Sequence, residues 1–454
     1  MYKFHIHTYG CQMNVRDSQV LTNRLIAAGY EHTDNEDEAD IVIVNSCSVR
    51  GKAEDKAIGK LGLLCTVGRR EKPNRIVGLM GCMAQNFKET IFKRLPTLSF
   101  SVGTRCEQLI PAIVERALKG EQRICELSNL DHELPKVVPE CFAGAEQPVS
   151  AFATILLGCN RRCAYCIVPD VRGPEFSRQP QEILPEIIAL VNAGIKDITL
   201  LGQSVMNYGR IGFTWPEEIT SERGFTEPLP RLFEYIIKNV PELKRIRFTS
   251  SHPSGVTDEL VRALKEFPQL CHHVHLPMQS GSDRILKHMR RGYDSEKYLA
   301  AIKKLREALP DISITTDIIV GYPEETEEDF EATRRIMEEA NFDNSFIFKY
   351  SPRPGTPSSL LEDVVTDAEK QRRNQVLLAD QDVRAMRINN QLIGTTTEVL
   401  VEGPSLRNQE KWSGRNSQNK IVIFEPKTEV AIGDFVNVRI TSVQPQTLYG
   451  EVVE

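Results

Sequence analysis

Apolar and polar positions follow a repeated order along the first 120 residues, with a short apolar run and then a longer segment of helical periodicity. Three of these runs end at a cysteine, and they are YKFHIHTYGC, DIVIVNSC and RIVGLMGC. Their last residues, Cys11, Cys47 and Cys82, lie 36 and 35 positions apart, which is about the length of a strand–helix–strand unit. The pattern predicts an N-terminal domain over residues 1–120, built as an open parallel α/β sheet.

A second series of apolar runs begins after residue 150. Six runs predict strands, and amphipathic segments between them, such as QEILPEIIALVNAG and TEEDFEATRRIMEEA, predict helices. The six runs are AFATILLG, DITLLGQ, RIRFTSS, HHVHLP, SITTDIIVGYP and SFIFKYS. Because a closed barrel of this kind needs eight strand–helix units, we expect residues 151–365 to form a partial (β/α)6 barrel with an open side.

The remaining segments complete the division of the chain. Residues 121–150 combine proline and charge with little periodicity, and they are predicted to be a linker. Residues 366–394 predict one polar connecting helix. The short runs TTEVLVEG, NKIVIFEP, DFVNVRITSVQ and TLYGEVV predict a small antiparallel β-barrel over residues 395–454. The expected fold class is therefore α/β, with a small all-β domain at the end.

Composition and charge bear on location and partners. The 454-residue chain has a formal net charge of −6, so no overall basic field indicates a nucleic-acid partner. Residues 395–454 carry six Lys and Arg against eight Asp and Glu, which gives no support to RNA binding by the small barrel. The chain start does not resemble a secretion signal, and no apolar run approaches the roughly 20 residues of a membrane span. We expect a cytoplasmic protein with no membrane partner.

Cysteine is used unevenly along the chain. Eleven cysteines are many for a cytosolic protein, in which clustered thiols more often serve metals or catalysis than disulfides. Cys11, Cys47 and Cys82, the sheet trio, each end a strand of one parallel sheet, and strand ends of such a sheet share one edge where ligands bind. We expect the sheet trio to converge there, and the alternative is three unrelated core cysteines. The others are interpreted as ordinary small residues, apart from a second group described next: Cys65, Cys106, Cys125, Cys141 and Cys271.

The second group lies in the stretch LLGCNRRCAYCIVPD, directly after the first strand of the partial barrel. It consists of Cys159, Cys163 and Cys166, the core trio, at the strand end where barrel enzymes carry their catalytic residues. A structural zinc site needs four closed ligands, whereas a cubane iron–sulfur cluster on three thiolates leaves one iron open. Because the spacing stops at three cysteines, a catalytic cluster is favoured over zinc and over a loop that is merely rich in cysteine.

The Cys-x3-Cys-x2-Cys spacing, with Tyr165 before the last cysteine, resembles the radical S-adenosylmethionine (SAM) enzymes. With the sheet trio and the small C-terminal barrel, essentially the whole chain is similar to the radical SAM methylthiotransferase family. The resemblance implies two [4Fe-4S] clusters, one on the core trio that binds SAM and an auxiliary one on the sheet trio. It also implies that the C-terminal barrel is TRAM-like.

Further stretches are most similar to the tRNA-modifying branch of this family, and they are TYGCQMN, NSCSVR, RGPEFSR, LPMQSGS, YSPRPGTPS, VEGPS and WSGRNSQNK. The branch implies a transferase that inserts sulfur and a methyl group at C2 of N6-isopentenyl(dimethylallyl)adenosine next to the anticodon. One SAM methylates a sulfur at the auxiliary cluster, and a second gives the 5′-deoxyadenosyl radical that removes hydrogen from C2. The alternatives are family members that act on threonylcarbamoyladenosine in tRNA or on a ribosomal-protein aspartate, and a non-enzymatic iron–sulfur carrier or RNA-binding module.

The resemblance also implies partners and SAM contacts. The partners are the anticodon stem-loop of tRNA and an electron donor such as flavodoxin or ferredoxin, and the enzyme is expected to be a monomer. SAM is expected to contact residues beside the core trio and at the strand ends of the barrel. These residues are Tyr165, Gly202, Gln203, Ser251 and Gln279.

Other charged residues and histidines leave alternatives open. Arg172 and Arg178 fit a SAM carboxylate, an RNA phosphate or a surface ion pair. The basic residues of the connecting helix fit either an RNA-binding stripe or a solvated helix face, and they are Lys370, Arg372, Arg373, Arg384 and Arg387. Four histidines are interpreted as structural or site-lining rather than as ligands: His252, His272, His273 and His275.

Overall fold

The N-terminal part of the chain is a six-stranded parallel sheet in the order β2-β1-β3-β4-β5-β6. The computed structural model describes residues 1–49, 51–128, 148–426 and 430–453, so most of the 121–150 linker, with Cys141, lies outside the described residues. Ile41 and Ile43 pack against α1 and α5 on one face, and Val42 and Val44 pack against α2 and α3 on the other. The elements are β1 Lys3–Tyr9, α1 Gln12–Ala27, β2 Glu31–His32, β3 Ile41–Ser46, α2 Gly51–Glu71, β4 Ile76–Met80, α3 Cys82–Phe87, α4 Ile91–Arg94, β5 Phe100–Val102, α5 Ile110–Leu118 and β6 Ile124–Glu126.

The central part confirms the six-stranded partial barrel. Two parallel sheets, β7-β10-β11 and β12-β13-β14, are joined by a bridge between Ile246 and Leu270, so that β7 and β14 are the two edges of the arc. The short strands β8 and β9 form an antiparallel pair, with β8 before the core trio in the chain and β9 after it. The elements are β7 Ser150–Thr154, β8 Leu156–Leu157, α6 Val168–Arg172, β9 Phe176–Ser177, α7 Pro180–Asn192, β10 Asp197–Leu201, α8 Pro228–Asn239, β11 Arg245–Phe248, α9 Asp258–Glu266, β12 His273–His275, α10 Asp283–His288, α11 Ser295–Ala308, β13 Ser313–Val320, α12 Glu327–Ala340 and β14 Asn344–Lys349.

The C-terminal part is a connecting helix followed by a closed five-stranded barrel in the order β15-β16-β17-β19-β18. The predicted small barrel is confirmed, with one feature that the sequence pattern did not indicate: β17 and β19 run parallel, whereas the other pairs are antiparallel. The elements are α13 Asp367–Asn390, β15 Thr396–Pro404, β16 Trp412–Asn416, β17 Ile421–Glu425, β18 Phe435–Gln444 and β19 Thr447–Val453. Among the described residues, no helix has the length and apolar character that crossing a membrane requires.

The small barrel packs against the N-terminal ends of the partial-barrel strands. Arg245, which begins β11, donates hydrogen bonds to the Arg415 carbonyl at 2.6 Å and to the Glu398 carboxylate at 3.0 Å. Lys420 pairs with Asp343, the residue before β14, at 2.7 Å. The small barrel therefore covers one end of the partial barrel, and the strand C-terminal ends, the barrel mouth, face the other way.

The amino-terminal sheet domain docks near the barrel mouth through a buried ion triad. The Glu186 carboxylate of α7 accepts from Arg16 of α1 at 2.7 Å and from Arg178 at 2.7 Å, and all three side chains are at most 7% exposed. The ion pair of Arg178 is therefore buried, which excludes the surface ion pair considered for this residue from the sequence. Removing one partner from such a buried arrangement costs about 3–5 kcal/mol, because the remaining charges stay uncompensated.

Candidate functional site

The sheet trio lies at one edge of the amino-terminal sheet. Cys11 follows β1, Cys47 follows β3 and Cys82 begins α3 just after β4, and these three strands are neighbours. The thiols of Cys11 and Cys47 are within hydrogen-bonding reach of each other, and Cys82 is near enough to act electrostatically on both. The structure therefore brings the three side chains together, as their strand-end positions predict.

Glycine and asparagine residues make this close approach possible. A Cβ at Gly10 would lie 2.7 Å from the Cβ of Cys47, so only glycine allows the two strand ends to approach this closely. The Cys11 backbone N–H and thiol both donate to Asn14 Oδ1, at 3.2 and 3.3 Å. Asn45 holds Asn14 in turn, accepting from its side chain at 3.0 Å. Asn14 and Asn45 were not singled out from the sequence, although both stand within three residues of a trio cysteine.

Arg172 provides the positive charge beside the sheet trio. Its Nε donates to the sulfur of Cys82 at 3.0 Å, and its Nη2 pairs with Asp17 at 2.7 Å, with the guanidinium only 5% exposed. The hydrogen bond from Cys47 and then the charge of Arg172 lower the pKa of Cys11 to about 5, whereas burial raises the pKa of Cys82. Arg172 thus has a structural place in the thiol site, and neither a surface ion pair nor an exposed phosphate contact describes it.

The core trio lies on one loop between β8 and α6. Cys159 and Cys163 are buried, and the three thiols act electrostatically on one another. The loop is fixed from outside, because Ala164 N donates to the Met289 carbonyl at 3.0 Å and Ser358 N donates to the Ala164 carbonyl at 2.9 Å. Burial raises the pKa of Cys166 to about 12. The loop therefore presents three thiols from a rigid surrounding frame.

Arg291 stands beside the core trio as Arg172 stands beside the sheet trio. Its Nη1 donates to the sulfur of Cys163 at 3.1 Å and to the Tyr165 hydroxyl at 3.4 Å, and its Nε donates to the Tyr293 hydroxyl at 3.2 Å. Its carbonyl accepts from His252 at 3.1 Å. Arg291 was not singled out from the sequence, because 128 residues separate it from Cys163.

The donor sets fit clusters better than single ions. Among the described residues, no three His, Cys, Asp or Glu side chains are gathered closely enough to hold one metal ion. In a cubane each thiolate binds a different iron, so its cysteines are spread around the cluster. Each trio also stops at three thiols, as a cluster with one open iron requires. Both sites therefore fit a [4Fe-4S] cluster with three protein ligands.

Buried polar atoms next to the core trio fit a further polar ligand. Gln203 accepts a hydrogen bond from Gly158 N, which places it beside the first cysteine of the trio. Its Nε2 and the hydroxyl of Ser251 are both buried, and neither has a hydrogen-bond partner among the residues that the structure describes. Because an unpaired buried polar group costs free energy, these atoms point to a ligand at the mouth.

The other predicted SAM contacts also lie at the mouth. Tyr165 packs against the buried cluster of Ile285, Met289, Tyr322 and Tyr350. A Cβ at Gly202 would lie 3.0 Å from the Leu156 backbone oxygen, so glycine allows close backbone approach there. Gln279 is in the left-handed region with φ 72°, and its backbone bridges to β13 by a hydrogen bond from its N–H to the Asp317 carbonyl at 2.8 Å. Such strained backbone clusters at functional sites.

One short helix connects the two trios. The five-residue α6 begins two residues after Cys166 and ends at Arg172, which contacts Cys82, and Ile167 and Val171 pack against Cys82. At 1.5 Å per residue this helix is about 7.5 Å long. Thr104 fixes it to the amino-terminal sheet by donating to the Val171 carbonyl at 2.6 Å. The two thiol sites are therefore close neighbours in one composite site.

The structure decides the open alternatives for the connecting helix. All five basic residues of its predicted stripe are paired with acidic side chains, and Lys370, Arg373 and Arg384 are buried. The pairs are Lys370–Asp363, Arg372–Glu327, Arg373–Glu325, Arg384–Glu338 and Arg387–Glu338. Arg372, Arg373, Arg384 and Arg387 pair α13 with α12 and its preceding loop, and the three buried members do not form the exposed stripe that was expected.

The histidines have structural partners. His252 accepts from Ser254 N at 3.2 Å, and burial lowers its pKa to about 3, so it is neutral at physiological pH. His273 and His275 both contact the Thr315 hydroxyl, at 3.1 and 2.9 Å, and line the interior of the partial barrel. His272 pairs with Asp311 at 2.8 Å. Cys65, Cys106 and Cys271 are buried and Cys125 is half-buried.

Three family models match the chain in its three parts. The model of the Radical SAM superfamily matches residues 154–337, and the model described as Uncharacterized protein family UPF0004 matches residues 3–103. The TRAM domain model matches residues 390–453. These matches correspond to the partial barrel, the amino-terminal sheet and the small closed barrel.

Full-length relatives share close to half of their residues with the chain. The tRNA-2-methylthio-N(6)-dimethylallyladenosine synthase of Akkermansia muciniphila is 44% identical over 464 aligned residues, which cover 99% of this chain and 98% of that protein. The protein of the same name from Methylacidiphilum infernorum is 42% identical over 447 residues, covering 98% and 93%.

A solved structure shares the fold at low sequence identity. It is the radical S-adenosylmethionine methyltransferase TsrM from Kitasatospora setae, with cobalamin and a [4Fe-4S] cluster bound. The TM-score is 0.59 at 14% identity, over 79% of this chain and 77% of that chain. The likeness supports the fold, in which a parallel sheet domain precedes a partial barrel.

Proposed function

Because the chain belongs to the family of tRNA-2-methylthio-N(6)-dimethylallyladenosine synthases, we propose that its two cysteine trios hold the two clusters of one composite active site. The protein is a radical SAM methylthiotransferase that converts N6-isopentenyladenosine in tRNA to its 2-methylthio derivative. Its cofactors are two [4Fe-4S] clusters and SAM. The observation that carries the assignment is the connection of the trios by α6, which follows one trio and reaches the other through Arg172.

In this assignment the core trio holds the cluster that binds SAM, and the sheet trio holds the auxiliary cluster. When bound, these groups supply the one-electron reduction of SAM and a site for the sulfur that is transferred. The chain's own residues position and shield them. Arg291 and Arg172 donate hydrogen bonds to the sulfurs of Cys163 and Cys82, which places one positive charge beside each trio.

SAM is held at the mouth by the residues that the sequence suggested. Gln203 is oriented by Gly158 N, so its buried Nε2 is available to donate to the SAM carboxylate. The buried Ser251 hydroxyl provides a second polar contact, and Gln279 and Gly202 allow close backbone approach. Met13 of the amino-terminal domain packs on Leu157 and Leu201 at the mouth, and this apolar cover excludes water from the radical step.

The boundaries and partners complete the proposal. We propose a sheet domain that begins at residue 1 and extends past the expected boundary at 120, because β6 Ile124–Glu126 is its sixth strand. A core over 151–365, a connecting helix over 366–394 and a TRAM-like barrel over 395–454 follow. The anticodon stem-loop is the part of tRNA that binds, and a flavodoxin or ferredoxin supplies electrons to a cytoplasmic monomer. A threonylcarbamoyl substrate or a ribosomal-protein aspartate is not favoured, because the relatives at 42–44% identity are named for the dimethylallyl substrate.

The experiment is a product analysis under anaerobic conditions. The reconstituted protein is incubated with SAM, a strong reductant and tRNA that carries N6-isopentenyladenosine, and the digested RNA is examined by mass spectrometry. We expect the 2-methylthio nucleoside together with 5′-deoxyadenosine. Deoxyadenosine without that nucleoside would contradict the substrate, and absence of both products with intact clusters would contradict the enzyme assignment itself.

A further inference from the structure

An aromatic surface lines the open side of the partial barrel. On the edge strand β14, Ser345 points toward α13, where its hydroxyl donates to Gln381 at 2.9 Å. Successive side chains of a strand face opposite sides, so Phe346 and Phe348 point into the barrel interior. These two rings are 48% and 37% exposed. Exposed aromatic rings side by side on an interior face indicate a binding surface.

The same face of β13 leads from these rings to the core trio. In the register of the two strands, Asp317 lies beside Phe346 and Ile319 lies beside Phe348. Ile319 and Tyr165, which stands between the last two cysteines of the core trio, both pack against one buried cluster that includes Tyr322 and Tyr350. One apolar cluster therefore lies between the β13 face beside these rings and the loop that carries the thiols.

A polar pair stands beside the rings. The His275 ring meets Phe346 edge to face, with centroids 5.9 Å apart, and its Nε2 lies 3.3 Å from the Asp317 carboxylate. A carboxylate repels phosphate but accepts hydrogen bonds from N–H groups. We call Phe346, Phe348, Asp317 and His275 the β14 wall. Its chemistry suits the edge of an amino-substituted heterocycle and does not suit the RNA backbone.

The opposite side of the interior carries the sheet trio. Phe152 of the other edge strand, β7, packs in one cluster with Cys11 and Met13 of the amino-terminal domain. Because β7 and β14 are the two edges of the arc, a molecule entering between them has Cys11 on one side and the β14 wall on the other. The core trio lies at the mouth above both.

We propose that the β14 wall binds the target adenine and its branched apolar N6 substituent, which deepens the proposed function and rests on it. Side chains two residues apart on one strand are about 6.6 Å apart, roughly twice the 3.4 Å spacing of stacked bases, so Phe346 and Phe348 can hold one planar ring. Phe346 contacts the apolar substituent, and Asp317 accepts from the N6–H. Extruded bases are bound by aromatic stacking in this way.

SAM carries an adenine too, and it is the competing occupant. The unpaired polar atoms that suit the SAM amino-acid group, Gln203 Nε2 and Ser251 Oγ, follow β10 and β11, four and three strands from β14, although Gln279, also assigned to SAM, bonds to the Asp317 carbonyl beside the wall. The apolar surface lies at the open edge instead. The apolar substituent, which only the RNA carries, therefore matches the β14 wall better than SAM does.

The test compares two anticodon stem-loop RNAs that differ only in the N6 group, one with isopentenyladenosine and one with adenosine. Their dissociation constants are measured with reconstituted protein for wild type and for Phe346→Ala. We expect wild type to prefer the isopentenyl RNA by about tenfold, the factor that one well-packed apolar group provides. Phe346→Ala should reduce this preference to less than threefold. Phe346→Trp keeps a ring and should keep most of it, which separates loss of contact from misfolding.

The control is Tyr2→Ala, which removes a 52% exposed ring at the start of the chain, away from the open edge, and should retain the wild-type preference. An unchanged preference in Phe346→Ala would overturn the proposal. Weaker binding of SAM with an unchanged RNA preference would overturn it as well and assign the wall to SAM. If wild type forms no methylthio nucleoside on the isopentenyl RNA, the proposed function fails first, so the two failures are distinguishable.

Discussion

The two cysteine trios are built in opposite ways. The core trio occupies a single loop, and its spacing is fixed by eight consecutive residues from Cys159 to Cys166. The sheet trio comes from three strands, and its geometry exists only when β1, β3 and β4 are paired. A local site depends on its loop, whereas a distributed site depends on the whole domain. The sheet trio should therefore be the more easily lost when the fold around it is disturbed.

The trios also differ in where their charged neighbour comes from. Arg291, beside Cys163, belongs to the same partial barrel as the core trio. Arg172, beside Cys82, belongs to the partial barrel although the sheet trio belongs to the other domain. The sheet trio is thus completed by its neighbour, while the core trio is self-contained. This asymmetry makes the auxiliary site dependent on domain docking.

The largest expected effects come from replacing a cysteine of either trio, because the two trios should serve different steps of the reaction. Replacing Cys159 with alanine should abolish cleavage of SAM to 5′-deoxyadenosine, because the SAM-binding cluster loses a ligand. Replacing Cys47 with alanine should leave cleavage measurable but remove the methylthio nucleoside. Both products are quantified by mass spectrometry after anaerobic turnover. Cleavage at the wild-type rate in the Cys159 variant would refute the assignment of the core trio.

A second prediction concerns Arg172, the charged residue that the partial barrel contributes to the sheet trio. Arg172→Gln should lower the free energy of unfolding by up to about 3 kcal/mol, because the half-buried Asp17 is left without its partner. It should also reduce iron bound at the sheet trio while the core cluster is retained. Urea unfolding of the apoprotein and iron analysis with electron paramagnetic resonance measure the two effects.

The matched variants for this prediction are Arg172→Lys and the double variant with Asp17→Asn. The lysine keeps the charge and should recover part of the iron. The double variant should recover stability, since no charge is left unpaired, but not the iron. Equal loss of iron in the lysine and glutamine variants would show that the charge does not matter.

A third change disturbs docking without touching either trio. Glu186→Gln leaves Arg16 and Arg178 facing each other and should cost about 3 kcal/mol of unfolding free energy. If the auxiliary site depends on docking, this variant should lose iron from the sheet trio before the core trio. Loss from both trios in equal measure would contradict the asymmetry. Glu182→Gln, on the same helix and more exposed, is the control.

The smallest effect is a pH dependence confined to the core side. Burial, and then the charges of Arg291 and Arg161, lower the pKa of His252 to about 3, so the folded state keeps its ring neutral. In the unfolded chain the imidazole of His252 protonates near pH 6.5. The contribution of neutral His252 to the free energy of unfolding is therefore complete above that pH, and it is lost as the pH falls toward 3. Between pH 7.5 and 5.5 the apoprotein should lose about 1.4 kcal/mol through this group.

Urea unfolding at the two pH values, compared with the variant His252→Asn, isolates this contribution. His252→Asn lacks the titrating ring. Between pH 7.5 and 5.5 its free energy of unfolding should therefore fall by about 1.4 kcal/mol less than that of wild type. An identical pH dependence in both proteins would mean that His252 is not held neutral by the fold.

Much of the fold was predictable because it depends on local patterns. Strand-like runs that end at Cys11, Cys47 and Cys82, at intervals of one strand–helix–strand unit, indicated both the parallel sheet and the convergence of the trio. The six strands of the partial barrel and the small closed barrel were also confirmed. Periodicity and spacing are properties of neighbouring residues, and so they can be recognised in one sequence.

The rest depends on residues that are far apart in the chain. Arg172 is 90 residues from Cys82, and no local pattern indicates their contact. The basic residues of α13 resemble an RNA-binding stripe until the acidic residues of α12 and its preceding loop are placed beside them. The β14 wall could not be predicted for the same reason, since the sequence does not indicate that Phe346 lies beside Asp317 and His275.

The most direct test of the two-cluster account is an iron and sulfide analysis of three proteins reconstituted anaerobically. These are wild type, a variant with all three cysteines of the sheet trio replaced by alanine, and one with the core trio replaced. The account predicts that each triple variant retains half of the wild-type iron, with distinct electron paramagnetic resonance spectra for the two remaining clusters. Full iron content in either triple variant would contradict it, because those cysteines would then not be cluster ligands.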